Sequence, residues 1–512
     1  MTPFQRIGLW AGPIVFGLFW MMGLGRSEIS GGLSADALLV LGLALWMALW
    51  WITEATDLAV TSLLPLVILP IFGITSVKDV ALAYSDRFVM LLMGGFFVAT
   101  CIERWHLHRR LALSVISRIG TSPQRMVVGF LLTAALLSMW ISNTATTLMM
   151  LPIASAVVAR LGDALTNDNP ADKGAQQRLG TALMLAIAYG ASIGGIGTPI
   201  GTPPNMIFLG QYHTLFPDAP RIGFLQWMAV AMPIVVLMVT FTAWYLARRV
   251  GRFGSPSSSD TSAEQLARDL VRRDLHSMGP LRGPELRIAV LFALTAVAWI
   301  TRGEIVGADG TVLFSGWARV IGVGDKVDDS TVAMGAALIA FILPAGDGTR
   351  HTRLLDWATA SKIPWGLLLL FGGGIALAKG FESTHLSKWL GASMEPLADV
   401  STVVLVAAVC LVVTFLTEVT SNTATTTILM PILAAVSLST GLSPLALMLP
   451  AALSASFAFM LPVATAPNAI VFATGHVTVP QMAKAGFWIN LAGVLIVTTV
   501  FLGFVLPLLG GS

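Results

Sequence analysis

From Ile7 nearly to the C-terminus the chain is a succession of apolar runs about 17 to 25 residues long, the length at which a helix crosses about 30 Å of hydrocarbon. Hydrophobic residues make up 55% of the chain and charged residues 11%, which excludes a soluble domain with a charged surface and makes lipid the main solvent. The runs predict spans over 7–24, 36–53, 57–75, 86–105, 181–212, 221–247, 284–301, 331–344, 364–381, 445–475 and 482–508. The first of them, Ile7–Leu24, lacks an Ala-x-Ala-like exit before RSEISGG, so it reads as a span and not as a signal peptide. Two further stretches, 126–160 and 402–440, are polar in the middle and fit re-entrant hairpins. The expected fold is therefore all-α and polytopic, with about eleven transmembrane helices plus two re-entrant hairpins.

The basic residues Arg104, Arg109, Arg110, Arg118 and Arg125 share one loop, and a second basic set lies between Arg248 and Arg287. Basic loops stay cytoplasmic, so both are expected inside, with the N-terminus inside and the C-terminus outside. The acidic loop with Glu304, Asp309, Asp325, Asp328 and Asp329 is then external. A Ser-, Gly- and charge-rich segment divides the chain into an N-terminal span and loop (1–35), a first half (36–248), a cytoplasmic linker (249–283) and a second half (284–512). The net charge of +3 gives no reason to expect a nucleic-acid partner. Cys101 and Cys410 lie in apolar segments and read as small buried side chains.

The halves are related. Ser-Asn-Thr-Ala-Thr-Thr begins at Ser142 and again at Ser421, and the sixteen residues from each share ten identities. At the same offset, ERWHLHRRL from Glu103 meets ESTHLSKWL from Glu382. GTPPN from Gly201 meets ATAPN from Ala464, pairing Thr202 with Thr465 and Asn205 with Asn468. An odd number of expected crossings between the hexads turns the second copy upside down, the inverted-repeat pattern of secondary transporters. Pro203, Pro204 and Pro467 lack amide donors, so both proline-bearing spans are expected to unwind.

A hairpin tip at membrane depth ends one helix and starts another, leaving carbonyls that suit a hard cation and amides that suit a carboxylate. Neutral Asn and Thr supply oxygens and donors without fixed charge. Interhelical packing also uses Ser, Thr and Asn, but packing alone gives no reason for two copies, each matched with a proline-broken span.

Together with WWITEATDLAVTSLLP from Trp50, IPWGLLLLFGGGIALAKG from Ile363 and FMLPVATAPNAIVFATG from Phe459, these motifs resemble the divalent anion:sodium symporter family over nearly the whole chain. The resemblance implies a homodimeric carrier in the bacterial inner membrane with an elevator-type fold. It implies a Na⁺-coupled secondary transporter for a C4-dicarboxylate such as succinate, malate or fumarate. An Na⁺-independent exchanger of the same fold, or a citrate or sulfate carrier, is the alternative. Carried onto this sequence, two or more Na⁺ ions would use Ser138, Ser142, Asn143 and Gly201 at one tip, and Thr417, Ser421, Asn422 and Ala464 at the other. Substrate would meet Asn143, Thr144, Thr202, Asn422, Thr423 and Thr465. Ala466 departs from the family pattern, standing where related carriers usually have a pocket-lining Pro, which leaves substrate preference open at that position; both hexads keep Thr after Asn and no Arg or Lys is near either tip, which favours a dicarboxylate over sulfate.

Other polar residues invite competing readings. Glu418, beside the second tip, is matched in the repeat by Met139, so a hydrogen-bonded structural role is favoured over proton coupling. Glu54 is expected to cap a helix end at the interface. His106 and His385 fall on opposite membrane faces, which opposes a shared metal site. GASIGG near Ser192 has no histidine base in a neighbouring span, so an intramembrane hydrolase, and enzymatic activity generally, is disfavoured.

Overall fold

The computed structural model describes residues 1–24, 28–29, 33–120, 122–164, 170–250, 269, 272–306, 312–324, 326–348, 351–394 and 399–506. Helices stand at every expected span, and among the described residues seven are long and apolar enough to cross a membrane, with shorter apolar helices of 10–17 residues beside them. Two short antiparallel ribbons, Glu28–Ile29 with Leu33–Ser34 and Ile305–Val306 with Val312–Phe314, sit in connections between spans. Periodicity read for long apolar runs does not register strands this short.

Helix starts are marked by small polar caps. Ser34 Oγ accepts from the Ala37 amide, and Asp86 accepts from Phe88 ahead of helix Arg87–Arg104. Thr478 and Gln481 form a reciprocal capping box before helix Val479–Val500. Each cap supplies a partner for an amide that the helix itself leaves open. Side chains such as Trp10, Ile71, Leu294 and Leu338 remain exposed on the outer surface, as lipid-facing residues do.

Each expected hairpin is two helical arms joined by a short turn. Pro123–Ser138 turns into Asn143–Ala164, and Thr402–Leu416 turns into Asn422–Thr440. First arms of 16 and 15 residues reach about 24 Å at 1.5 Å per residue, short of a full crossing. The proline-bearing spans are each split as well: Pro170–Gly195 is followed by Pro203–Leu215, and Pro444–Ser454 by Ala466–Phe472. The helices unwind ahead of the prolines and restart on them, because a residue without N–H costs nothing in the first turn.

The equivalent histidines His106 and His385 both have φ of 55°, a left-handed turn that leads from a span into the short helices Leu107–Ile119 and Leu386–Ser393. Arg109 pairs with Asp274 at 3.1 Å, and Arg110 pairs with Glu285 at 2.6 Å, which ties the first of these helices to the far side of the expected linker. Most of that linker, residues 251–268 and 270–271, lies outside the described residues, as do Asp309 and Asp325 of the acidic loop.

Close packing positions the first hairpin. Helix Pro170–Gly195 meets arm Pro123–Ser138 so closely that a Cβ on Gly194 would lie 2.1 Å from the Ala135 carbonyl oxygen. Small residues permit such backbone approach where lipid gives no hydrophobic drive. Gly194→Leu is expected to lower the melting temperature in detergent, at a cost of about 1–3 kcal/mol or more. Gly17→Leu, with nothing near its Cβ position, should leave it almost unchanged.

Candidate functional site

The turns of the two hairpins and the restarts of the two split helices face one another across a cavity of about 430 Å³. Asn143, Thr144, Thr202, Asn422, Thr423 and Thr465 all line it, as do Ser142, Gly201, Ser421 and Ala464. Of the twelve residues assigned from the sequence to Na⁺ or substrate, Ser138 and Thr417 do not line the cavity. Both are fully buried behind the tips, where each holds a lining asparagine.

That arrangement is duplicated. Ser138 Oγ donates to Asn143 Oδ1 at 2.5 Å, and Thr417 Oγ1 lies 2.6 Å from Asn422 Oδ1. Asn205 Nδ2 donates to the carbonyls of Gly195 and Thr198 at 3.1 and 2.7 Å. Asn468 Nδ2 donates to those of Ala458 and Leu461 at 2.9 and 3.0 Å. In each half one buried amide bridges both edges of an unwound segment, supplying donors where the helix ladder has stopped. The sequence paired these asparagines but gave no sign that they act as staples.

Oxygen atoms converge beside the first tip. A Cβ built on Gly201 would lie 2.4 Å from the Gly195 carbonyl oxygen and 3.0 Å from those of Ser138 and Met139, while one on Gly195 would be 2.7 Å from Asn143 Oδ1. The space next to these two glycines is thus lined by neutral oxygens, the donor type that hard cations take. In the second half the Ala455 carbonyl, 3.0 Å from Thr417 Oγ1, competes with Asn422 Oδ1 for the single hydroxyl proton. Ala464 brings a methyl group to the position equivalent to Gly201, so the two oxygen clusters differ in shape.

Glu418 is buried and fixed. Its carboxylate accepts from the amides of Phe459, Met460 and Leu461 at 2.7 to 3.0 Å, and from Asn490 Nδ2 at 2.7 Å. Three successive amides of the second unwound segment are therefore satisfied by one side chain. At the equivalent place in the first half the Met139 carbonyl accepts from Thr198 Oγ1.

Trp51, Glu54, Leu58, Phe96, Pro364 and Leu367 form part of the remaining wall. Sequence reading placed Glu54 at a helix end; it occupies the left-handed C-cap of helix Ala35–Thr53, φ 49°, and is also part of this wall. Apart from Glu54, no described residue lining the cavity is charged, and none is a histidine. Trp140, inside the first tip, packs edge-on to Phe292 with ring centres 4.9 Å apart. His106 and His108 have ring centres 6.0 Å apart, and His385 opens the separate helix Leu386–Ser393.

A family profile described as the sodium:sulfate symporter transmembrane region matches residues 15–509. The sodium-dependent dicarboxylate transporter SdcS of Staphylococcus saprophyticus is 38% identical over 506 residues, covering 99% of this chain and 92% of that protein. SdcS of Staphylococcus aureus is 39% identical over 510 residues with the same coverage. Among solved structures, MtrF of Neisseria gonorrhoeae superposes with a TM-score of 0.56 at 14% identity, covering 94% of this chain and 97% of that one. The YdaH transporter of Alcanivorax borkumensis gives 0.53 at 16%, covering 98% and 99%. At those identities the two structures share a fold with this chain.

Glu418→Gln keeps size but sets an NH₂ group against backbone donors. It is expected to destabilise the protein by about 1–3 kcal/mol, read as a lower melting temperature in detergent. An unchanged melting temperature would contradict the structural role.

Proposed function

Because the chain belongs to the divalent anion:sodium symporter family, whose members are membrane transporters and not enzymes, we propose that it takes up a C4-dicarboxylate together with Na⁺. The observation that carries this reading is a cavity shared by two polar tips in which no described residue supplies a positive side chain. A dianion there has no fixed counter-charge, and its desolvation is prohibitive unless a cation accompanies it. The oxygens around Gly195 and Gly201 suit one Na⁺, with Ser138 and Asn143 beside it. Thr417, Ser421, Asn422 and the backbone at Ala464 provide for a second.

The anion's own partners are helix starts. Helices Asn143–Ala164 and Asn422–Thr440 both begin in the cavity wall, and the opening amides of a helix lack intrahelical partners. Two such ends, with the side chains of Thr144, Thr423, Thr202 and Thr465, match the two carboxylates of a short diacid such as succinate. Na⁺ draws the oxygens at each tip together and so sets where those amides point. Binding of each ion therefore strengthens binding of the other.

Uptake proceeds by alternating access. The inverted halves let one body that carries both tips, with the helix restarts beside them, slide as an elevator against the rest of each protomer in a homodimer. The N-terminus is cytoplasmic and the C-terminus external, as the basic loops indicate, and the cavity, walled by Glu54 and Pro364, faces the cytoplasmic side.

In proteoliposomes, succinate uptake should require an inward Na⁺ gradient and fall to background when K⁺ replaces Na⁺. Undiminished uptake in K⁺ would reject Na⁺ coupling and point to an exchanger. Asn143→Ala and Asn422→Ala should each reduce uptake at least about tenfold, the loss expected when a charged ligand's partner is removed at about 1.5–3 kcal/mol. Gly201→Ala places a methyl among the carbonyls of Gly195, Ser138 and Met139, so half-saturation by Na⁺ should rise about tenfold or more in initial-rate measurements.

A further inference from the structure

A second cavity, of about 320 Å³, lies away from the hairpin tips at the ends of helices Arg87–Arg104, Pro203–Leu215 and Pro284–Ile300 and the start of Asp329–Ile342. Helix Trp365–Ser383 relates the two cavities. It starts next to Pro364 in the tip-cavity wall, and near its other end Lys379 Nζ donates to the Asp79 carbonyl at 3.2 Å, eight residues before Arg87. The second cavity is therefore on the membrane face opposite Glu54 and Pro364.

Its charges are unevenly paired: three arginines and three carboxylates line it, and among the described residues only Arg302 is ion-paired with one of those carboxylates. Glu304 is paired with Arg319, and Asp328 caps its own helix through Ser330 and Thr331. Asp329 is held by Arg302 Nε at 2.6 Å and by the Phe224 amide at 2.9 Å. All three carboxylates thus have donors, but those of Asp328 are uncharged, and Asp328 and Asp86 offset part of the Arg87 charge from beyond ion-pair distance. Arg87 and Arg221 line the same recess, and neither has a carboxylate within salt-bridge distance among the described residues. The Arg87 guanidinium lies 4.9 Å from the centre of the Phe88 ring, and His213 stacks on that ring at 5.3 Å, so one aromatic side chain orients two donors.

Arg87, half-buried, and Arg221, exposed, bring two like charges to one recess, where they repel each other. A small dianion relieves this repulsion and can take paired N–H bonds from both guanidinium groups. We propose that the recess is a binding site for a small dianion, which captures a dicarboxylate at the face opposite the tip cavity's opening. Its role in supply rests on the transport reading given above; its chemistry does not. The alternative for arginines at this depth is snorkelling toward lipid headgroups, whose phosphate offers the same chemistry from another source.

The chain's two cysteines, Cys101 and Cys410, are fully buried, so a thiol placed at the recess can report on it without further changes. Gln226 lines the recess and is exposed. In lipid-free detergent micelles, Gln226→Cys should react about tenfold faster with an anionic methanethiosulfonate reagent than with a cationic one. Millimolar succinate or sulfate should slow that reaction several-fold. The protection should persist when Asn143→Ala and Asn422→Ala disable the tips, and vanish with Arg87→Gln and Arg221→Gln. Protection abolished by the tip variants but kept by the arginine variants would overturn the proposal, as would no protection at all. Protection that appears only on adding anionic lipid would assign the recess to headgroups and overturn it equally. Thiol protection in a protein that fails to take up succinate would support the recess while contradicting the transport reading.

Discussion

In hydrocarbon an unpaired backbone N–H or C=O costs several kcal/mol, and this constraint explains the arrangement at the centre of the molecule. Four helix interruptions meet there, a luxury that a bilayer permits only where each exposed group finds a partner. Asn205 and Asn468 bridge the edges of the unwound segments, and Glu418 receives three amides of the second one. The shared cavity lies beside these staples. Carbonyl oxygens gather by Gly195 and Gly201, and helix starts at Asn143 and Asn422 line the wall. On the function proposed above, a cation would take the oxygens and an anion the helix starts, each serving a part that the other cannot.

Duplication supplies the geometry, and its departures distinguish the two sides. Ser138 with Asn143 and Thr417 with Asn422 make the same contact, and His106 and His385 make the same left-handed turn. Gly201 is matched by Ala464 and Met139 by Glu418, however, so the first oxygen cluster is open where the second carries a methyl group, and the second unwound segment has an ionic staple that the first lacks. Two cation sites built on these clusters need not have equal affinity.

Much of this was legible in the sequence because lipid makes hydropathy unusually informative. Span positions follow from run length, and the polar hexads are conspicuous against their apolar neighbours. Ten residues chosen from repeated motifs line one cavity, since the repeat itself names the equivalent positions. The position of the unwinding was less legible: the prolines mark where helices restart, and the nonhelical residues precede them. The far wall was also hidden. Trp51, Glu54 and Pro364 stand in quoted motifs, but contact across the molecule between residues hundreds of positions apart has no local signature. The same holds for the arginine recess, where Arg87, Arg221 and Arg302 come from three separate segments.

In the proposed site cation and dianion occupy the tip cavity as mutual counter-charges. Equilibrium binding of succinate to the purified protein, titrated across a series of Na⁺ concentrations at constant ionic strength, reads this coupling. Succinate affinity should rise steeply with Na⁺, and Na⁺ affinity should rise with succinate by the same factor, as linkage requires. Succinate bound with equal affinity in Na⁺ and in its absence would contradict it.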